Sequence, residues 1–107
     1  MDDMSALTHQ LEYMFLKKII DELETETMSV AEAKKNASDF LAIEPFTNPE
    51  ETYIIIMDFV RNHEIFIELK NYMNAYQNER NERAKIAKMR EHLKQNNIDA
   101  ALAVAKA

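Results

Sequence analysis

Apolar side chains near the start of the chain recur at steps of three and four residues, the period of an α-helix that faces a core. Within residues 5–25 these positions are Leu7, Leu11, Met14, Phe15, Ile19 and Leu23. Tyr13, Leu16 and Ile20 widen the apolar sector, and a helix that is apolar on more than one side usually contacts several neighbours. The pattern predicts a central first helix over residues 5–25.

Two further helices are marked by signals at their starts. Ser29 and Glu32 form the pattern of a capping box, in which the serine hydroxyl accepts from the Glu32 amide and the Glu32 carboxylate reaches back. Asn48 followed by Pro49 is a second start signal, because asparagine caps helices and proline is tolerated in the first turn. The predicted spans are 29–43 and 49–61.

The stretch YIIIMDFVRNHEIFIELKNYM at residues 53–73 contains isoleucine runs that resemble strands. On one continuous helix, however, its apolar residues before and after position 62 would point in directions about 150° apart. We therefore predict two helices that meet at Asn62, with Asn62 as the cap of the second. A continuous helix between two packing partners is the alternative, and two strands are the third interpretation.

A long fourth helix is predicted over residues 63–95. Its middle, residues 77–83, has no apolar side chain, so the helix either continues through this segment or breaks near Asn78–Asn81. Asn96 and Asn97 are suited to a left-handed turn, and Asp99 is expected to cap a last helix over 99–106. We expect that helix to fold back, packing Ile98, Leu102 and Ala105 on Ile86, Met89 and Leu93. The predicted fold is a single all-α domain, residues 1–107, of four to five helices.

Composition limits the classes of function. The chain has no glycine, which argues against phosphate-binding loops, dinucleotide-binding fingerprints and tight hairpins. It has no cysteine, which removes disulfides and thiolate chemistry. The acidic start MDDMS does not resemble a secretory leader, and the longest apolar run has five residues. We expect a soluble cytoplasmic protein that does not enter the membrane.

No pattern of catalytic or metal-binding residues is visible. The three histidines, His9, His63 and His92, are far apart in sequence and none follows the Glu-x-x-His spacing of diiron bundles. No serine lies in a nucleophile elbow, and no pair among the 19 carboxylates has a spacing that indicates a buried acid–base pair. We therefore predict that the protein is not an enzyme, with no catalytic residues, no cofactor and no metal site.

The remaining candidates lie on the long fourth helix. We expect a protein–protein interaction module, binding a protein partner or a second copy through this helix. The candidate interface residues are Tyr72, Met73, Tyr76, Ile86 and Leu93. The alternative is a nucleic-acid-binding face. Its residues are Asn74, Asn78, Asn81, Arg83, Lys85 and Lys88.

Charge argues against the nucleic-acid alternative. Residues 1–58 hold 13 acidic and 4 basic side chains, whereas residues 59–107 hold 6 acidic and 9 basic ones. The chain as a whole has a formal net charge of −6, which opposes binding to a polyanion. A polar stripe opposite an apolar one is also typical of any surface helix. The simpler interpretation is a solvated face, with the acidic half of the chain folded against the basic half.

Overall fold

The structure, a computed structural model, describes residues 3–107, which form five α-helices and contain no β-strand. The helices are α1 (Asp3–Glu24), α2 (Val30–Ala42), α3 (Pro49–Asn62), α4 (Ile67–Lys94) and α5 (Ile98–Lys106). A short 3-10 helix, Glu64–Phe66, lies between α3 and α4. The all-α prediction is confirmed, including the long fourth helix and the short C-terminal helix. No helix within the described residues is long and apolar enough to cross a bilayer.

The predicted starts of α2 and α3 are confirmed in atomic detail. The Ser29 hydroxyl accepts from the Glu32 amide at 3.1 Å, and the Ser29 amide donates to the Glu32 carboxylate at 3.1 Å. The Asn48 side chain accepts from the Glu51 amide at 2.8 Å, with Pro49 in the first turn. Each cap satisfies amides that the helix itself leaves without a partner, so the start of each helix is determined locally.

The bend after α3 is also confirmed, but Asn62 does not cap the following helix. Its side-chain amide donates backwards to the Asp58 carbonyl oxygen at 3.1 Å. The chain leaves the helical conformation at His63, whose φ of −142° and ψ of 69° precede the 3-10 helix. No side chain caps that helix. The bend therefore lacks a capping side chain, and the His63 imidazole ring makes the contacts there.

Those contacts come from α2 and α3. The Nε2 atom of His63 lies 2.8 Å from the Asp39 carboxylate, and its Nδ1 atom lies 2.8 Å from the carbonyl oxygen of Phe59. The imidazole ring also stacks on the Phe59 ring at 4.2 Å. Both ring nitrogens of His63 thus have a polar partner. The hydrogen bond from His63, and then that from Lys35, lowers the pKa of Asp39.

The chain divides into two compact units, the first of which ends at Asn74. Its core is built on phenylalanine. The Phe15 ring stacks on Phe40 at 4.3 Å and on Phe66 at 4.7 Å, and it meets Phe59 edge-on at 6.2 Å. Phe59 precedes the bend and Phe66 follows it. The bend thus turns two oppositely directed apolar faces toward one core, which explains the phase change in the sequence.

The second unit, Ala75–Ala107, contains the rest of α4 and all of α5. Helix α4 continues without a break through the polar segment 77–83. The turn after it uses Asn96 with a φ of 58°, the left-handed conformation predicted for this position. The cap of α5 is Asn97, whose side chain accepts from the Ala100 amide at 3.2 Å. The prediction that Asp99 caps this helix is therefore wrong; Asp99 lies in the first turn.

The second unit buries little apolar surface. In α5, Ala101 is only 1% exposed, whereas Ile98 and Leu102 are 57% and 53% exposed. The expectation that Ile98, Leu102 and Ala105 form the buried face is wrong, because all three of these side chains are exposed and the buried residue of α5 is Ala101. A small side chain at this position permits close approach of two helices. The larger apolar side chains of α5 consequently remain in contact with solvent.

Candidate functional site

The first candidate surface belongs to the second unit and is named here the hairpin surface. It consists of four large apolar side chains, each about half exposed: Ile86, Leu93, Ile98 and Leu102. Ile86 and Leu93 are seven residues apart on α4, and Ile98 and Leu102 are four apart on α5, so each pair shares a helix face. The Lys85 ammonium donates to the carbonyl oxygen of Ala107 at 2.6 Å, which holds the end of α5 beside α4.

The interface residues that were predicted from the sequence differ in their exposure to solvent in the structure. Met73 is fully buried in the first unit and is a core side chain, so it is not available at the surface. Tyr72 and Tyr76 are half-buried, and both have interaction partners within the chain. Ile86 and Leu93 are exposed. Ile98 and Leu102, which we expected to pack against them, are exposed as well.

The predicted nucleic-acid face is partly engaged in contacts within the chain. Asn74 accepts a hydrogen bond from the Tyr53 hydroxyl at 2.8 Å. Arg83 pairs with Glu79 at 2.6 Å, and the Lys85 ammonium is bound to the Ala107 carbonyl oxygen. The other three side chains are exposed: Asn78, Asn81 and Lys88. Three of the six residues thus have partners already, and the geometry does not favour this face as a polyanion site.

A second candidate surface lies in the first unit, in a cleft between α1 and α2. The cleft has a volume of about 300 Å³. Its lining residues are Glu12, Phe15, Leu16, Ala37, Phe40, Leu41 and Glu44. The buried rings of Phe15 and Phe40 contribute to its wall, whereas Leu16 and Leu41 are 55% and 68% exposed. We call this feature the α1–α2 cleft.

The two carboxyl groups in this cleft interact with each other. Burial is the main cause that raises the pKa of Glu44 to about 7; the hydrogen bond with Glu12 and the negative charge of Glu12 add to it. Near neutral pH the carboxyl group of Glu44 is therefore only partly ionised.

The sequence spacing did not reveal the Glu12–Glu44 pair, because 32 residues separate the two positions. Its only signal is the geometry of an antiparallel helical hairpin. Helices α1 and α2 are joined by the short segment 25–29, so positions at similar distances before and after this segment face each other. Glu12 and Glu44 satisfy that relation approximately. Nothing in the local sequence distinguishes them from the other carboxylates.

The histidines are not gathered into one site. His9 is exposed, while His63 and His92 are half-buried. Among the residues that the structure describes, no group of three or more histidine and carboxylate side chains could hold a metal ion. The chain matches no protein-family model, no curated protein and no solved structure.

Proposed function

We propose that the protein is a helical interaction module that self-associates through the hairpin surface. The observation that carries this proposal is that α5 buries a small side chain and leaves its large apolar side chains exposed. Its buried residue is Ala101, while Ile98 and Leu102 are left about half exposed, as are Ile86 and Leu93 on α4. Large apolar side chains left exposed on two neighbouring helices are a feature of interaction sites.

A second copy of the chain is the partner that fits this surface best. The second unit has 33 residues and its helices bury few apolar side chains, whereas units below about 40 residues usually need disulfides, metals or association for stability. The chain has no cysteine with which to form a disulfide. Two helical hairpins that meet through their apolar faces form a four-helix bundle, and a two-fold axis lets one surface bind itself.

Charge gives the self-association a distinctive salt dependence. Residues 75–107 carry seven basic and four acidic side chains, so two copies of this unit have like net charge. Added salt screens their repulsion and strengthens the dimer. A nucleic acid or an acidic partner on the same surface would show the opposite dependence, because salt weakens attraction between unlike charges.

The first prediction concerns Leu93→Asp combined with Leu102→Asp. Burying a leucine completely is worth about 1.5–3 kcal/mol, so burying the exposed half is worth about 1 kcal/mol. Two leucines in each of two copies then contribute about 4 kcal/mol, and their loss should weaken the dimer about 1,000-fold. Light scattering coupled to size exclusion, over a wide range of protein concentration, measures the change.

The matched control is Leu41→Asp, which places the same charge at an exposed leucine of the first unit. This control should dimerise as the wild type does. A wild-type chain that remains monomeric at millimolar concentration, or a Leu41→Asp variant that dissociates as completely as the double variant, would show the proposal to be wrong. Far-UV circular dichroism verifies that each variant retains its helices.

A further inference from the structure

The α1–α2 cleft is a second binding site, and this inference does not depend on self-association through the hairpin surface. We propose that the cleft receives an amphipathic helix from a partner protein. Apolar side chains of that helix lie between Leu16 and Leu41, and a lysine or arginine of the helix binds between Glu12 and Glu44.

The walls of the cleft are suited to an apolar side chain. Phe15 and Phe40 stack at 4.3 Å and are almost completely buried, so the base of the cleft is held by the core. Leu16 on α1 and Leu41 on α2 stand exposed on opposite sides. A third helix laid between two helices buries both exposed leucines at once, as in other helix-in-groove complexes.

The apolar track is longer than the cleft itself, which favours a helix over a small molecule. Ile20 lies one helical turn beyond Leu16 on α1 and is 54% exposed. A ligand that covers both residues must extend over at least two turns. An amphipathic helix supplies apolar side chains at this repeat, at positions i, i+3 or i+4, and i+7.

The charges in and around the cleft indicate that the partner helix is basic. The carboxyl groups of Glu12 and Glu44 face each other in partly buried surroundings, and burial together with their mutual repulsion raises the pKa of Glu44 to about 7. A lysine or arginine between them would neutralise that repulsion and would bring the pKa of Glu44 down again. Residues 1–74 hold 15 acidic and 6 basic side chains, so their field also attracts a basic partner.

The experiment uses the full-length chain, labelled with nitrogen-15, and three synthetic peptides of equal length. The first is an amphipathic helix of leucine and lysine, the second replaces each lysine with glutamate, and the third is a scrambled leucine–lysine sequence without an apolar face. We expect only the first to bind tightly. Its amide shift changes should concentrate at residues 12–20 and 37–44, which locates the site without any mutation.

Variants then separate the contributions of charge and apolar contact. Glu12→Gln with Glu44→Gln should weaken binding of the leucine–lysine peptide at least about tenfold, because a partly buried charge pair contributes about 1.4 kcal/mol or more. Glu82→Gln with Glu91→Gln makes the same change of charge in the second unit and should alter affinity less than twofold. Leu16→Ser with Leu41→Ser should also weaken binding, because it removes the apolar contacts. Added salt should weaken binding of the peptide to the wild type, because it screens the attraction between unlike charges.

Several results would overturn the proposal. One is a leucine–lysine peptide that does not bind at millimolar concentration; another is a peptide that binds the Glu12→Gln, Glu44→Gln variant as tightly as the wild type. Shift changes centred on α3 or on the second unit would place its site elsewhere. Shifts at residues 12–20 and 37–44 that change with protein concentration alone would identify a second copy as the occupant. A short alkylamine that binds as tightly as the peptide would identify a small-molecule site.

Discussion

Replacing Glu44 with glutamine tests the electrostatics of the α1–α2 cleft directly. The folded protein raises the pKa of Glu44 from an ordinary value of 4.5 to about 7, so the folded state binds this proton more tightly than the unfolded state does. The resulting stabilisation is fully present below pH 4.5 and is lost as the pH rises through about 7. Glutamine resembles the protonated carboxyl group but has no proton to lose. The free energy of unfolding of Glu44→Gln, relative to that of the wild type, should therefore increase as the pH rises.

The magnitude follows from the size of the shift and from exposure to solvent. A change from 4.5 to about 7 would correspond to about 3 kcal/mol in a site sealed from water. Glu44 lies at the edge of an open cleft, where solvent screens its interaction with Glu12, and the screened value is about 1 kcal/mol. The free energy of unfolding of Glu44→Gln, relative to the wild type, should thus increase by about 1 kcal/mol between pH 5 and pH 8.

Urea unfolding followed by circular dichroism, at pH 5 and at pH 8, measures this difference. The lowered pKa of Asp39 and of Glu32 places their titration below pH 5, so neither contributes to the change. Glu24→Gln, an exposed position on the last turn of α1, is the matched control for the removal of one carboxyl group. A Glu44 carboxyl group that titrates near 4.5 by nuclear magnetic resonance would refute the reasoning.

Two further predictions concern the fold itself. Phe15→Ala should lower the free energy of unfolding by about 3–5 kcal/mol, because it removes a buried ring that stacks on Phe40; Leu16→Ala, at the adjacent exposed position, should cost much less in the same urea titration. Ser29→Ala should cost about 1 kcal/mol by thermal unfolding, since it removes the hydroxyl that accepts from the Glu32 amide, whereas Ser29→Thr should retain most of the stability. A Phe15→Ala variant as stable as the wild type, or a Ser29→Thr variant as unstable as Ser29→Ala, would contradict the packing or the capping argument respectively.

The prediction of helices succeeded where the determining contacts are short in sequence. The Ser29–Glu32 capping box and the Asn48 cap each join atoms three residues apart, so their partners are visible in the sequence. The bend near Asn62 could be predicted for another reason. The apolar positions before and after residue 62 lie on different helix faces, and both faces must be buried. The residue that holds the bend was not visible. His63 is fixed by Asp39, which lies 24 residues away in sequence.

The candidate surfaces likewise combine features that the local sequence indicates with features that depend on contacts between distant residues. Ile86 and Leu93 were candidate interface residues and also the residues that α5 was expected to cover; the structure leaves both exposed. The rotation of α5 could not be predicted, because its sequence offers both Ala101 with Val104 and Ile98 with Leu102 for burial. The Glu12–Glu44 pair likewise depends on the alignment of α1 and α2, which no local pattern specifies.

By itself the sequence determined the helices, most of their starts and the change of direction near residue 62, because local hydrogen bonds and the helical period are written in neighbouring residues. The tertiary structure alone decided which face of α5 is buried, which two carboxyl groups meet in the α1–α2 cleft and which partners His63 contacts at the bend. These features depend on how helices dock. The free energy of helix packing comes from many weak contacts between residues that are distant in sequence. No single one of these contacts can be identified from the sequence alone.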